Sequence, residues 1–137
     1  MKKVMWPNDL RVLYVTAHSF PEGIQKAIDE LYKKVPLSDK RTLMGISRAE
    51  NNGSITYRAA FKEIENGEAQ KLNLDSAVLK KGEYIYEEIS NFRNNMSKIG
   101  QTFEELLMHP TIDQEGYCIE VYDAEKESVR CLVRIVT

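Results

Sequence analysis

The chain has 137 residues, the length of one domain, and enough to bury about two-thirds of the surface its unfolded form exposes. With 42% hydrophobic and 29% charged residues, 7 Gly and 4 Pro, it is neither collagen-like, low-complexity nor disordered. Nineteen Lys and Arg stand against 21 Asp and Glu, for a net charge of -2 with both signs interspersed; no basic face is left to neutralise a run of phosphates, and direct nucleic-acid binding is not expected.

The N-terminal Met1 to Pro7 begins basic, but no apolar stretch of signal-peptide length follows, and nothing approaches the ~20 apolar residues of a membrane span. Two cysteines, Cys118 and Cys131, are too few for a disulfide framework and too far apart for a zinc knuckle. Free thiols, a reducing cytoplasm and no membrane partner are the expectation. Trp6 precedes the first expected strand, where it anchors the terminus or covers the end of a groove.

From Arg11 to Ala17 the run Val12-Leu13-Tyr14-Val15 predicts a strand. Ser19-Phe20-Pro21-Glu22 then matches a capping box, in which hydroxyl and carboxylate satisfy the free N–H groups of a helix start. Ile24, Ala27, Ile28, Leu31 and Val35 form one buried stripe, and Pro36 marks the helix end. Thr42 to Ser47 and Ile55 to Ile64 flank Glu50-Asn51-Asn52-Gly53, a hairpin turn. Glu65 to Asp75 is polar and aperiodic and predicts a linker.

The order then restarts. Tyr84 to Ile89 is a strand after Gly82, and Asn91 can cap a second helix with a stripe of Met96, Ile99, Phe103, Leu106 and Leu107 that stops before Pro110. Tyr117 to Tyr122 and Val129 to Val136 form a second hairpin through Asp123 to Glu127. The chain therefore reads βαββ twice, with repeat one at about 10–65, a linker at about 66–78 and repeat two at about 79–137. One such unit has too few strands to close a core, whereas two can join their sheets. The expected fold is α+β: duplicated βαββ units in a joined antiparallel sheet, two helices on one face, and a groove between the repeats in a single domain. Pockets favour such seams.

Tyr117-Cys118-Ile119-Glu120-Val121-Tyr122 carries the most chemistry. Period-two alternation sets Ile119 and Val121 on one face, and Cys118, Glu120 and Tyr122 on the other. In an apolar groove a lone carboxylate is costly and favours protonation or a cationic guest, which tyrosine faces would also attract. The alternative is a solvated face, where a hairpin register of residue numbers summing to 250 sets Glu120 opposite Arg130 as a cross-strand ion pair. Of the seven tyrosines, six fall on expected strands, where aromatics pack well in any case. His18 and His109 lie at helix ends without a partner at ligand spacing, so no metal is expected. No G-x-S-x-G elbow stands at a strand-to-helix turn. No two glycines lie within five residues of each other, so no phosphate loop and no nucleotide cofactor is implied.

The stretch Leu79 to Glu87, followed by a helix and then Ile119-Glu120-Val121-Tyr122, resembles the GyrI-like small-molecule-binding domains, also called transcription activator effector-binding domains. Their G-x-Y strand corresponds to Gly82 to Tyr84 and their E-x-Y strand to Glu120 to Tyr122. Gly45-Ile46-Ser47 and Ile55 to Ala60 are similar to the family's first hairpin. Leu107-Met108-His109-Pro110 stands where many relatives carry a tryptophan, and Asn91-Phe92-Arg93 where a glycine is usual. The resemblance implies a stand-alone member, with Glu120 in the groove as charge partner and Tyr57, Tyr84, Tyr86 and Tyr122 as wall residues. It implies non-catalytic binding of a small amphipathic molecule, cationic aromatics included, for sensing or sequestration. A hydrolase of strained-ring, DNA-alkylating compounds, with Glu120 directing water, is the alternative; a module acting on a protein partner is a third role.

Overall fold

The structure, a computed structural model, describes residues 1–136. Its strands are β1 (Lys2–Trp6), β2 (Leu10–Thr16), β3 (Met44–Ala49), β4 (Ile55–Lys62), β5 (Asp75–Leu79), β6 (Gly82–Ser90), β7 (Cys118–Asp123) and β8 (Ser128–Arg134), and its helices are α1 (Ile24–Lys34), α2 (Glu68–Lys71) and α3 (Met96–Leu106). All eight strands join one antiparallel sheet in the order β1-β6-β8-β7-β3-β4-β2-β5. The expected α+β architecture is therefore the observed one. The halves meet where β3 pairs with β7, setting Gly45 opposite Glu120. Each half also lends an edge strand to the other, since β1 pairs with β6 and β5 with β2.

Chain connectivity forces the sheet to curl. β5 forms one edge and β6 stands second from the other, six strand spacings away, which is about 29 Å in a flat sheet. Only Lys80 and Lys81 join them, and such a link spans at most about 11 Å. The edges therefore bend toward each other over a concave core that includes Val12, Ile46, Leu79, Tyr84, Ile119 and Leu132.

The convex face carries the helices. Ala27 and Leu31 of α1 pack with Leu13, Ala59 and Phe61, while Ile99, Phe103 and Leu106 of α3 pack with Ile85, Val129 and Val133. Alternation along each strand divides residues between the two faces: Val12 faces the concave core and Leu13 faces α1. β3 and β7 run between the two helix-covered areas, which sets their convex-side residues at the floor of a seam. Shortening Ile99 to Val should cost about 0.5–1.5 kcal/mol in urea unfolding, because its branch is buried under α3; an unchanged midpoint would mean that α3 packs loosely.

Several expected details differ. Ser19 and Glu22 make no capping box: α1 starts at Ile24 without a side-chain cap, and its first N–H groups go to backbone carbonyls, Gly23 N–H to Ser19 at 3.1 Å and Ile24 N–H to Pro21 at 3.2 Å. Asn91 takes a left-handed conformation (φ +54°) ahead of a 3-10 turn over Phe92–Asn94, so α3 begins later, after Asn95. Met96 and Leu107 are exposed rather than on the buried stripe. Residues 66–78, expected as a linker, hold α2 and most of β5; Ala69 is buried in the α1 core, and Arg41 pairs with Glu68 there. The first hairpin turn is as expected, with Gly53 at φ +85°. No helix among the described residues is long and apolar enough to cross a membrane.

Candidate functional site

Glu120 lies near the middle of β7 on the convex face, with Gly45 of β3 on one side and Cys131 of β8 on the other. It is 7% exposed. The second hairpin has a register summing to 251, one step from the register that would make an ion pair, so Arg130 stands opposite Val121 and points to the concave face. There Arg130 lies 4.8 Å from the Tyr86 ring centre and 3.8 Å from Glu88. A single-residue slip thus decides the matter. No Lys, Arg or His forms a salt bridge with Glu120 among the described residues.

Two phenols stand beside the carboxyl instead of a cation, and one of them hydrogen-bonds it. Tyr122, two residues along the same face, donates its hydroxyl to Oε1 of Glu120. Tyr57 projects from β4 and lies across Gly45: a Cβ built there would come within 2.8 Å of its Cζ. A glycine inside a strand marks such a close approach. Tyr57 is 1% exposed, and its hydroxyl has no hydrogen-bond partner among the described residues. Tyr122 is close enough to influence it, but its proton is committed to Glu120. Each tyrosine is backed by a phenylalanine from the segment leading into a helix: Phe20 stacks on Tyr57 at 6.1 Å, and Phe92 meets Tyr122 edge-on at 5.1 Å.

Burial sets the protonation of this cluster. It raises the Glu120 carboxyl above its ordinary value, against the opposing hydrogen bond from Tyr122. Burial and the neighbouring Glu120 raise both phenols as well. By the same causes the Cys118 thiol is pushed up to about 11 and the Cys131 thiol to about 12. Neither cysteine is in a disulfide, and as protonated thiols they are weak nucleophiles. No group of three or more His, Cys, Asp and Glu among the described residues is placed to hold a metal.

The five residues singled out by sequence therefore divide. Glu120, Tyr57 and Tyr122 meet on the convex side. Tyr84 and Tyr86 face the concave side, because alternation along β6 gives Ile85 and Ile89 to α3. Tyr84 packs tilted against Trp6 with ring centres 4.3 Å apart, donates to the Lys80 carbonyl at 2.6 Å, and has its phenol raised to about 12 by burial. It lines a separate cavity of about 530 Å³ together with Arg48, Tyr117, Ile119 and Arg134. Gly45, Phe20 and Phe92 belong to the convex cluster without having been singled out. A glycine inside a strand is the signal for the first; nothing local marks the phenylalanines.

Neither a protein-family model nor a curated protein matches this sequence. Solved structures do. SAV2435, solved bound to tetraphenylphosphonium, superposes with a TM-score of 0.64 at 12% identity, covering 99% of this chain and 94% of its own. An integron cassette protein from the mobile metagenome of Vibrio cholerae gives 0.73 at 13% identity, covering 98% and 95%. A hydrolase from Listeria innocua gives 0.56 at 12% identity, covering 98% and 91%. The chain shares their fold. At such identities a common backbone does not carry function across, and names this different show why function must be argued from the site.

Proposed function

We propose that this protein binds small amphipathic aromatic molecules, cations among them, in the seam between α1 and α3, with Glu120 as the charge partner and Tyr57 and Tyr122 as the aromatic walls. The observation that carries this reading is a buried carboxyl with no basic partner, held between two phenols of which one has an unpartnered hydroxyl. A protein needing only stability would fill such a position with an apolar side chain, since an uncompensated buried carboxyl costs stability. A guest cation supplies the missing charge, and tyrosine faces attract it through their quadrupoles. The resemblance to GyrI-like domains and the tetraphenylphosphonium bound to SAV2435 support the same ligand class.

The site is filled when empty of ligand, because the Tyr57 ring occupies the space over Gly45. Binding therefore requires Tyr57 and its stacked neighbour Phe20, 39% exposed, to swing off Gly45, so that the guest lies between the Tyr57 and Tyr122 rings. Sensing and sequestration both need only this step. The test is calorimetry with tetraphenylphosphonium and with the neutral triphenylphosphine oxide. Glu120→Gln should weaken the cation by about 10- to 100-fold, the scale of one buried hydrogen bond or contact to a charged group, and change the neutral compound far less. No binding of either compound, or an equal loss for both, would overturn the reading.

A further inference from the structure

We infer that entry of a cation into this seam expels a proton from Glu120, so that binding is coupled to pH. The inference rests on the binding role proposed above and concerns how that site is regulated. Buried carboxylates are stabilised by two or three donated hydrogen bonds. Glu120 receives one from a side chain, from Tyr122, while the hydroxyl of Tyr57 beside it stays unpartnered. Such a setting suits the neutral acid.

The surroundings leave Glu120 as the group that changes charge. From β7 it faces Tyr122 and Cys118, from β4 Tyr57, from β8 Cys131, and β3 contributes Gly45. Each thiol and phenol is protonated at neutral pH. The buried side chains of α1 are Ala27 and Leu31, and those of α3 are Ile99, Phe103 and Leu106, none of them titratable. Arg93 stacks on Phe92 with its guanidinium 5.3 Å from the ring centre and makes no salt bridge with Glu120. A lipophilic cation placed beside Glu120 favours the carboxylate, and the displaced proton leaves for solvent. Charge balances: one positive charge enters and one departs.

Linkage gives the signature. While the empty site is protonated, affinity for the cation rises about tenfold per pH unit, and it levels off once the empty site is ionised. A neutral guest shows no such slope. The experiment is calorimetric titration of tetraphenylphosphonium from about pH 5 to about pH 8, in acetate and in MES at the acidic end and in phosphate and in Tris toward neutral, where the difference in buffer ionisation enthalpy counts released protons. The expected result is a release that approaches one proton per cation at the acidic end and declines as pH rises, with none for triphenylphosphine oxide and none for Glu120→Gln. Tight cation binding with buffer-independent enthalpy and flat affinity would overturn the coupling and leave the binding role standing. Release that persists in Glu120→Gln would overturn the assignment to this residue. Absence of cation binding would bring down both.

Discussion

Gly45→Val is expected to destabilise the protein by about 3 kcal/mol or more, the upper range for overfilling a packed site. A β-carbon at this position meets the terminal atoms of the Tyr57 ring, within 2.8 Å of Cζ and 3.0 Å of Cε2. Tyr57 can retreat only by giving up its buried place against Phe20, which itself costs stability. Either the ring is evicted or β3 moves away from β4, and β3 also holds β7 and thus joins the two halves. If the clash with Tyr57 is the cause, Tyr57→Ala should relieve it. The double variant should then be more stable than the sum of the single changes by about 1–3 kcal/mol. Urea unfolding of the four proteins measures this directly. Additive losses would show that Gly45 is needed for its backbone and not for the space above it. Tyr57→Phe removes only the unpartnered hydroxyl and should leave stability within about 0.5 kcal/mol of the parent.

The sheet's framework was legible because hydrophobic period and turn chemistry agree along most of the chain. Val12 to Val15, the Asn51-Asn52-Gly53 turn and the stripe Ala27, Leu31, Val35 each point one way, and the duplication follows from their repetition. What stayed hidden depends on pairing across the chain. β1 reads Lys2-Lys3-Val4-Met5-Trp6, too polar to announce itself, and is a strand because β6 offers it a partner edge. β5 sits in a polar stretch for the same reason, paired to β2 from the other half. Local sequence carries no record of an exchange between distant edges.

The candidate site shows the same limit more sharply. That Glu120 and Tyr122 share a face follows from alternation alone, and so does the separation of Ile119. Which face looks toward the seam does not, since it turned on whether the second hairpin pairs with a sum of 250 or 251. The hairpin's connecting residues Ala124 to Glu127 could support either. The resemblance groups Tyr84 and Tyr86 with Glu120 as wall residues, but alternation along β6 is fixed by Ile85 and Ile89 facing α3. Tyrosine at those positions serves the concave core instead.

Glu120→Gln should make the protein more stable at neutral pH, by on the order of 1–3 kcal/mol, and no more stable in acid. Unfolded, the carboxyl titrates at its ordinary value of 4.5; folded, burial holds it higher. Between the two values the native state keeps a proton that the unfolded state has lost. Stability therefore falls as pH rises through that window, and above the folded value the cost of the buried charge is complete. Glutamine has the same shape and no charge to bury, so it escapes this loss. Glu68 works in the opposite sense: its hydrogen bond with Arg41 lowers its carboxyl, and that contribution disappears in acid, but equally in both proteins, so it cancels in the difference. Plotted as variant minus parent, melting temperature should be near zero below about pH 4 and climb to a plateau toward neutral. A difference that is constant with pH, or that grows in acid, would mean that Glu120 carries its charge when the seam is empty, and a guest cation would then have no buried proton to displace.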